Sequence, residues 1–232
     1  MNGQFKDGLR KRPLIETRNS FRGFIYIDID DSEAVLRAIR KTSDDRPIDL
    51  IIHTPGGLVL PATQIALALH DHPAETRILI PHYAMSGGTL LALACDKIIM
   101  DSHAVLGPVD PQIQGENGGS KAAASILAVA EEKGTDAEDA TLIMADISRK
   151  AIAQMEELVC QLTDNRQVVE ELVSGRFTHD YPITPSKAQE LGIQVETDLP
   201  KEVYQLMDMY PQRQRGKPTV EYVSSRFKGE VE

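Results

Sequence analysis

The sequence predicts an α/β fold with a mostly parallel central sheet and additional C-terminal helices. Three apolar runs carry this prediction: "PIDLIIHT", "TRILIPH" and "KIIMD". Each is apolar almost throughout, as strands are when helices cover both faces of a parallel sheet. Segments with helical apolar spacing separate them, and short β-α-β connections imply right-handed crossovers between parallel strands.

The composition is that of an ordinary globular protein with one main domain. The 232 residues are 41% hydrophobic and 26% charged, with a formal net charge of −10. An acidic chain lacks the basic face of nucleic-acid-binding proteins, so we expect no nucleic-acid partner. No apolar stretch reaches the roughly 18 residues that span a bilayer, and no signal peptide is apparent. We expect a cytoplasmic protein without a membrane span in this chain; membrane association through a partner is left open.

The N-terminal half alternates strands and helices in order along the chain. The polar residues 1–20 predict a flexible or helical arm. "FRGFIYIDI" then predicts a strand, and "DSEAVLRAIRKT" predicts a helix capped by Asp31 or Ser32. "LVLPATQIALALHDH" and "GGTLLALACD" predict two further helices, each between two of the buried strands.

The C-terminal half is expected to be mainly helical after a long loop. "GPVDPQIQGENGGSK" is rich in glycine and proline and predicts that loop, with a helix following at about 121–131. Apolar spacing over 136–173 predicts two helices that meet near Thr163–Asn165, and Pro185 starts a short helix that Gly192 ends. The chain thus divides into an arm at 1–20, a main domain at 21–199, and a helix with an extended tail at 200–232.

Two glycine-containing loops follow neighbouring predicted strands, at the edge where α/β proteins place reactive groups. They are "HTPGG" at 53–57 and "YAMSGG" at 83–88. Ser86 stands where a buried strand ends and a helix begins, and a serine there is most often a helix cap. The alternative is a nucleophile, because amides at a helix N-terminus stabilise an oxyanion.

The glycines of these loops favour the nucleophile. The N–H groups of Gly57 and Gly87 are candidates for a two-amide oxyanion hole, and Gly56 and Gly88 are candidate substrate-binding residues. Gly87 and Gly88 also lack side chains that would block a substrate. The alternatives are an ordinary turn between strand and helix, and a phosphate-binding loop, although the known phosphate-loop motifs are absent. Histidine and cysteine spacing indicates no metal site, and we expect no cofactor.

The motifs together resemble the serine dehydrogenase proteinase family, distant relatives of the Clp protease proteolytic subunit and of signal peptide peptidase A. The similarity extends from about residue 24 to about residue 223 and includes "RPIDLIIHTPGG", "PHYAMSGGTL", "LGPVDPQ" and "FTHDYPIT". The resemblance implies a ClpP/crotonase-like spiral of stacked βαβ units. It also implies serine peptidase chemistry on a polypeptide substrate, and assembly into a homo-oligomer.

The resemblance further implies a catalytic triad of Ser86 as nucleophile, His179 as general base and Asp110 as the acid. A hydroxyl becomes a good nucleophile once a base takes its proton, and histidine titrates in the range that this role needs. A carboxylate orients the imidazole and stabilises its charged form. The triad is therefore chemically coherent, although the residues lie far apart in the sequence.

The proton acceptor is the open part of this hypothesis. Signal peptide peptidase A uses a lysine, for which Lys121 is the candidate here, although a lysine base requires burial. Other side chains compete for the roles of base and acid: His53, His103, Asp101 and Asp180. Two other functions are compatible with the loops, a crotonase-like acyl-CoA enzyme and a catalytically inert oligomeric scaffold that binds peptides.

Overall fold

A five-stranded parallel sheet forms the centre of the structure, a computed structural model that describes residues 14–16, 26–115 and 118–209. Its strands, in spatial order, are β1 (Leu14–Glu16), β2 (Ile48–Ile51), β3 (Thr76–Ile80), β5 (Lys97–Met100) and β9 (Val195–Glu196). Each neighbouring pair is parallel, which confirms the predicted fold class.

Helices connect the strands in the order that the sequence predicts. Three of them precede β5: α1 (Ile29–Arg40), α2 (Val59–His70) and α3 (Gly87–Leu93). Four more lie between β5 and β9: α4 (Ala123–Lys133), α5 (Asp139–Leu162), α6 (Arg166–Val173) and α7 (Pro185–Glu190). α8 (Lys201–Met209) follows the last strand. Successive βαβ units therefore stack along one sheet, and none of the described helices has the length and apolar character to cross a membrane.

Alternate side chains of the strands pack into two cores, because successive residues of a strand face opposite sides. Ile48, Leu50 and Ile78 belong to the main core beneath the helices. Ile51, Leu79 and Ile99 face the other side, where residues of the C-terminal segment cover them: Leu199, Val203, Leu206 and Met207. α8 therefore closes the second face of the sheet.

The start of α1 differs from the sequence expectation. Asp28 is the N-cap, and Asp31 lies three residues inside as the second member of a capping box. The Asp31 amide donates to Asp28 Oδ1 at 3.1 Å, and the Asp28 amide donates to Asp31 Oδ2 at 3.0 Å. The helix therefore begins at Ile29, within the predicted strand "FRGFIYIDI". In the described part of that segment, Ile27 forms an isolated β-bridge with Gly57. Residues 21–25 lie outside the described residues.

Short strands occur at places where the sequence predicts no strand. Leu14–Glu16 of the expected arm pair with β2 at the edge of the sheet, and the rest of residues 1–20 lies outside the described residues. The expected long loop contains an antiparallel hairpin of β7 (Gln112–Gln114) and β8 (Ser120–Ala122). Three residues are too few to establish an alternating pattern, so such strands have no sequence signature.

The helical half agrees closely with the prediction. α5 ends at Leu162 and α6 begins at Arg166, with the Asn165 side chain accepting a 3.0 Å hydrogen bond from the Gln167 amide as its cap. α7 begins at Pro185, and Gly192 follows it with a φ of 90°. The tail at 210–232 lies outside the described residues.

Candidate active site

A small second sheet brings together the segments that carry Ser86, Asp110 and His179. β4 (Tyr83–Ala84) pairs in parallel with β6 (Val105–Leu106), and Leu106 forms an antiparallel bridge with Ile183. Ser86 and Asp110 follow these parallel strands, whereas His179 precedes its antiparallel partner. All three residues therefore extend toward the same end of the small sheet, whose neighbouring strands lie about 4.8 Å apart.

His179 and Asp110 are directly hydrogen-bonded. His179 Nδ1 lies 2.8 Å from Asp110 Oδ1. Because a carboxylate only accepts hydrogen bonds, Nδ1 is the donor and Nε2 of the neutral ring is left with its lone pair. The Asp110 side chain is 2% exposed and that of His179 is 33% exposed. The Asp110 carboxylate is thus buried, whereas the His179 ring reaches solvent.

Backbone hydrogen bonds clamp the two segments on both sides of this pair. The Val109 amide donates to the Leu172 carbonyl at 3.0 Å, and Leu106 and Ile183 exchange two hydrogen bonds of 2.9 Å each. Between these clamps, the Tyr181 amide donates to the Thr178 carbonyl in the turn around His179. These main-chain hydrogen bonds hold the segments that carry Asp110 and His179 next to each other.

Ser86 has a strained backbone. Its φ of 50° and ψ of −114° make it the only non-glycine residue with positive φ in the described ranges. Such a conformation costs about 1–3 kcal/mol and occurs preferentially at functional sites. Ser86 occupies the N-cap position of α3, but its side chain makes no capping hydrogen bond. The common structural role for a serine at this position is therefore absent.

The loop that carries Ser86 and the segment that carries Asp110 are packed against each other. The buried Thr89 hydroxyl lies 2.8 Å from both the Ala84 and the Gly107 carbonyl oxygens, and it accepts from the Gly107 amide at 3.0 Å. Gly107 carries no side chain, and a Cβ there would lie 2.5 Å from Met85 Cε. Thr89 and Gly107 thus join α3 to the strand leading to Asp110.

The two glycine loops lie side by side, and two of their amides are unpaired. The Thr54 amide donates to the Tyr83 carbonyl, and the Met85 amide donates to the Thr54 carbonyl. Among the described residues, neither the Gly57 nor the Gly87 amide has a hydrogen-bond acceptor. A Cβ built on Gly87 would lie 3.5 Å from the Gly57 nitrogen, so the two loops approach closely at these amides.

Gly56 and Gly88, the two candidate substrate-binding glycines, have paired amides and close protein neighbours. The Gly56 amide donates to Thr54 Oγ1 at 3.1 Å, and the Gly88 amide donates to the Met85 carbonyl at 2.7 Å. A Cβ on Gly56 would lie 2.7 Å from Ser86 Cβ, and one on Gly88 would lie 2.8 Å from Thr54 Cγ2. Protein atoms lie close to the Cβ positions of both glycines, so the missing side chains allow the two loops to pack against each other. Substrate binding at Gly56 and Gly88 stays a prediction.

The rival bases occupy other environments. Lys121 is exposed on β8 and lacks the burial that a lysine base requires. The His103 side chain is 93% exposed beside Asp101. His53 packs edge-on against His82 and Tyr83, with ring centroids 5.1 and 4.4 Å away. Burial, with a smaller contribution from the charge of His82, lowers the pKa of His53 to about 4.

The rival acids are not hydrogen-bonded to His179. Asp101 accepts hydrogen bonds from Tyr204 Oη and from the His103 amide. These two hydrogen bonds lower the pKa of Asp101. Asp180 is exposed.

Two residues beside the site, Gln112 and Thr89, do not stand out in the sequence. Gln112 Nε2 donates to Asp110 Oδ2 at 2.7 Å. The motif "GPVDPQ" contains Gln112, but its contact with Asp110 depends on a turn that no spacing rule reveals.

The fold and the site together are those of serine-hydrolase-like proteins. The described residues combine a parallel sheet with two loop amides that lack an acceptor, a strained serine and a His–Asp pair. Residues 20–232 match the family described as ClpP-like SDH-type serine proteinases, and the chain belongs to this family. This confirms the resemblance recognised in the sequence and the ClpP-like fold.

Two relatives come from the archaeon Methanocaldococcus jannaschii. The uncharacterized protein MJ1495 is 55% identical over 205 residues, which cover 85% of this chain and 68% of the relative. The uncharacterized protein MJ0137 is 56% identical over 213 residues, which cover 88% of this chain and 73% of the relative. The names of these two relatives state no activity. The family indicates a peptidase-type protein, and the reaction is a proposal.

Proposed function

We propose that the protein is a serine peptidase that hydrolyses polypeptides through an acyl-enzyme on Ser86. His179 Nε2 takes the hydroxyl proton as Ser86 Oγ attacks the peptide carbonyl carbon. The amides of Gly57 and Gly87 stabilise the oxyanion. Breaking of the C–N bond releases an amine that receives the proton from His179. A water molecule then attacks the acyl group, with His179 again as base, and regenerates Ser86.

The observation that carries this proposal is the 2.8 Å hydrogen bond between His179 and Asp110. It gives the histidine the tautomer that a base for Ser86 needs. The pairing of the segments that carry the three residues supports their approach to one another. The unpaired amides supply the second requirement, because donors without a protein acceptor are available to a developing negative charge.

Labelling with a fluorophosphonate tests the nucleophile. Ser86 Oγ is expected to attack phosphorus and displace fluoride, so the protein gains the mass of the adduct on the peptide that contains Ser86. Ser86→Ala is expected to abolish labelling and hydrolysis of an unfolded protein substrate. The matched control is Ser102→Ala, at an exposed serine outside the site. Labelling that survives in Ser86→Ala would remove the nucleophile from the proposal.

We also propose that the protein acts as a homo-oligomer, with a second copy covering the outer half of the α4–α5 pair. Large apolar side chains are exposed there: Val129 (47%), Leu142 (49%), Ile143 (61%) and Ile147 (43%). Clustered exposed apolar surface of this kind is typical of an interface. Light scattering at micromolar concentration is expected to give a multiple of the chain mass. Ile143→Glu combined with Ile147→Glu should reduce that mass, whereas Met209→Glu, at an exposed site on α8, should not. A monomeric wild type contradicts the proposal.

A further inference from the structure

The two oxygens of the Asp110 carboxylate have different partners. Oδ1 faces His179 Nδ1 at 2.8 Å, and Oδ2 accepts a hydrogen bond from Gln112 Nε2 at 2.7 Å. The Asp110 side chain is 2% exposed, so water does not replace either partner. We infer that Gln112 is a positioning residue, whose amide fixes the rotation of the Asp110 carboxylate so that Oδ1 stays aimed at His179. This inference rests on the proposed peptidase function.

The orientation of the Gln112 amide follows from chemistry. A carboxylate only accepts hydrogen bonds, and an amide has one accepting and one donating end. If the amide were turned over, its oxygen would face Asp110 Oδ2 and the contact would be repulsive. The NH₂ group therefore faces Asp110, and the contact has a single favourable orientation.

The hairpin holds Gln112 independently of the site. Gln112 begins β7 and pairs with Ala122 of β8, and the Ala123 amide donates to the Pro111 carbonyl at 2.9 Å. The main chain on both sides of Gln112 is thus fixed by hydrogen bonds that involve neither Asp110 nor His179. The reach of the side chain back to Asp110 is set by this hairpin, so the hairpin that the sequence did not predict has a direct role beside the site.

A neutral donor suits this position. During the reaction, positive charge develops on His179, and the Asp110 charge stabilises it. An arginine or lysine at position 112 would pair with that carboxylate charge and weaken its effect on the imidazole. The Gln112 amide restrains the carboxylate while its full charge remains available to His179.

Substitution of Gln112 separates positioning from a merely structural role. Gln112→Leu leaves the buried Oδ2 without a donor, and we expect kcat to fall by about 10–100-fold with KM changed less than about twofold. In Gln112→Glu, two carboxyl groups share the site. With one proton between them, the glutamic acid donates to Oδ2 as the amide does; with none, the like charges repel. The ratio of its kcat to that of the wild type is therefore expected to fall as pH rises.

The matched control is Gln114→Glu, which adds the same charge at an exposed position of the same strand. It is expected to keep the wild-type pH profile. If the wild type labels at Ser86 and cleaves peptides, but Gln112→Leu and Gln112→Glu behave like Gln114→Glu, the positioning role is wrong and the peptidase proposal stands. A wild type that neither labels nor cleaves would overturn both.

Discussion

His179 Nδ1 lies 2.8 Å from Asp110 Oδ1, although the two residues are 69 positions apart in the chain. Main-chain hydrogen bonds at Val109–Leu172 and Leu106–Ile183 hold their segments together on both sides. The closeness of these two positions is secured by the main chain, so the backbone arrangement should persist when either side chain is replaced. Substitutions at the pair should therefore act on the reaction more than on the structure.

Asp110→Asn is expected to lower kcat by about 10³–10⁴-fold, because an asparagine stabilises the wrong tautomer of His179 and supplies no negative charge. His179→Ala should cause a loss of similar size. His103→Ala, at a fully solvated histidine, is the matched control and should retain activity. The measurements are initial rates of peptide hydrolysis and far-UV circular dichroism of each variant. An Asp110→Asn variant with near-normal kcat would exclude Asp110 as the acid.

Gly87→Ala and Gly57→Ala are expected to fail for different reasons. A Cβ on Gly57 would lie 2.2 Å from the Ile27 carbonyl oxygen, so the variant should lose about 3 kcal/mol or more of stability. A Cβ on Gly87 meets only Ala62 Cβ closely, at 3.1 Å, but lies 3.5 Å from the Gly57 nitrogen, where the oxyanion would bind. Gly87→Ala should therefore fold and lose about 10²–10³-fold in kcat. Urea unfolding and kinetics separate the two outcomes, and a fully active Gly87→Ala would contradict the oxyanion site.

Ser86→Gly is expected to be more stable than Ser86→Ala by about 1 kcal/mol, because glycine adopts the positive φ of this position without strain. Both variants should be inactive. At Ser102, which has no positive φ, the order should reverse, since glycine has more freedom to lose on folding. Chemical denaturation of the four variants measures both differences. Equal stabilities at position 86 would mean that the strain is not retained in solution.

The pKa of His53, lowered to about 4, predicts a loss of stability in mild acid. The unfolded chain binds a proton near pH 6.5, whereas the folded protein does not until about pH 4, so the free energy of unfolding falls as pH decreases between these values. Because the ring is partly solvated, we expect a contribution of about 1–2 kcal/mol. His53→Asn should lose less stability than the wild type between pH 7 and pH 4.5 in urea unfolding. Identical pH dependence in wild type and His53→Asn would contradict this.

Breaking the ion pair between Asp49 and Arg77 is expected to cost about 3–5 kcal/mol, because it leaves a buried charge without its main partner. Arg77 contacts Asp49 with two nitrogens, at 2.7 and 2.6 Å, and Asp49 is fully buried. Asp49→Asn should show this loss in urea unfolding, whereas Asp49→Leu combined with Arg77→Met should recover most of it. A double variant as unstable as Asp49→Asn would show that the charges themselves are needed for folding.

The sequence was informative where local pattern determines structure. β2, β3 and β5 are short, nearly continuous apolar runs, and α5 and α6 meet at a capping asparagine that the pattern marks. The hairpin of β7 and β8 escaped prediction because its strands have three residues each and hold together through long-range backbone pairing. For the site, Ser86 and the glycine loops stood out locally. His179 and Asp110 were identified only through family resemblance, since no spacing rule connects residues whose contact depends on the whole fold.

The pairing of Leu106 with Ala84 on one side and Ile183 on the other has a consequence for how the chain can vary. The chain leaves the small sheet after Leu106 and returns to it at Ile183. The hairpin of β7 and β8 and the helices α4, α5 and α6 lie between these two positions. A loop lengthened or shortened near 134–138 would alter the outer surface and leave the reactive end of the small sheet in place. In such a layout, the outer helices proposed to mediate assembly can change without moving the residues proposed to carry the chemistry.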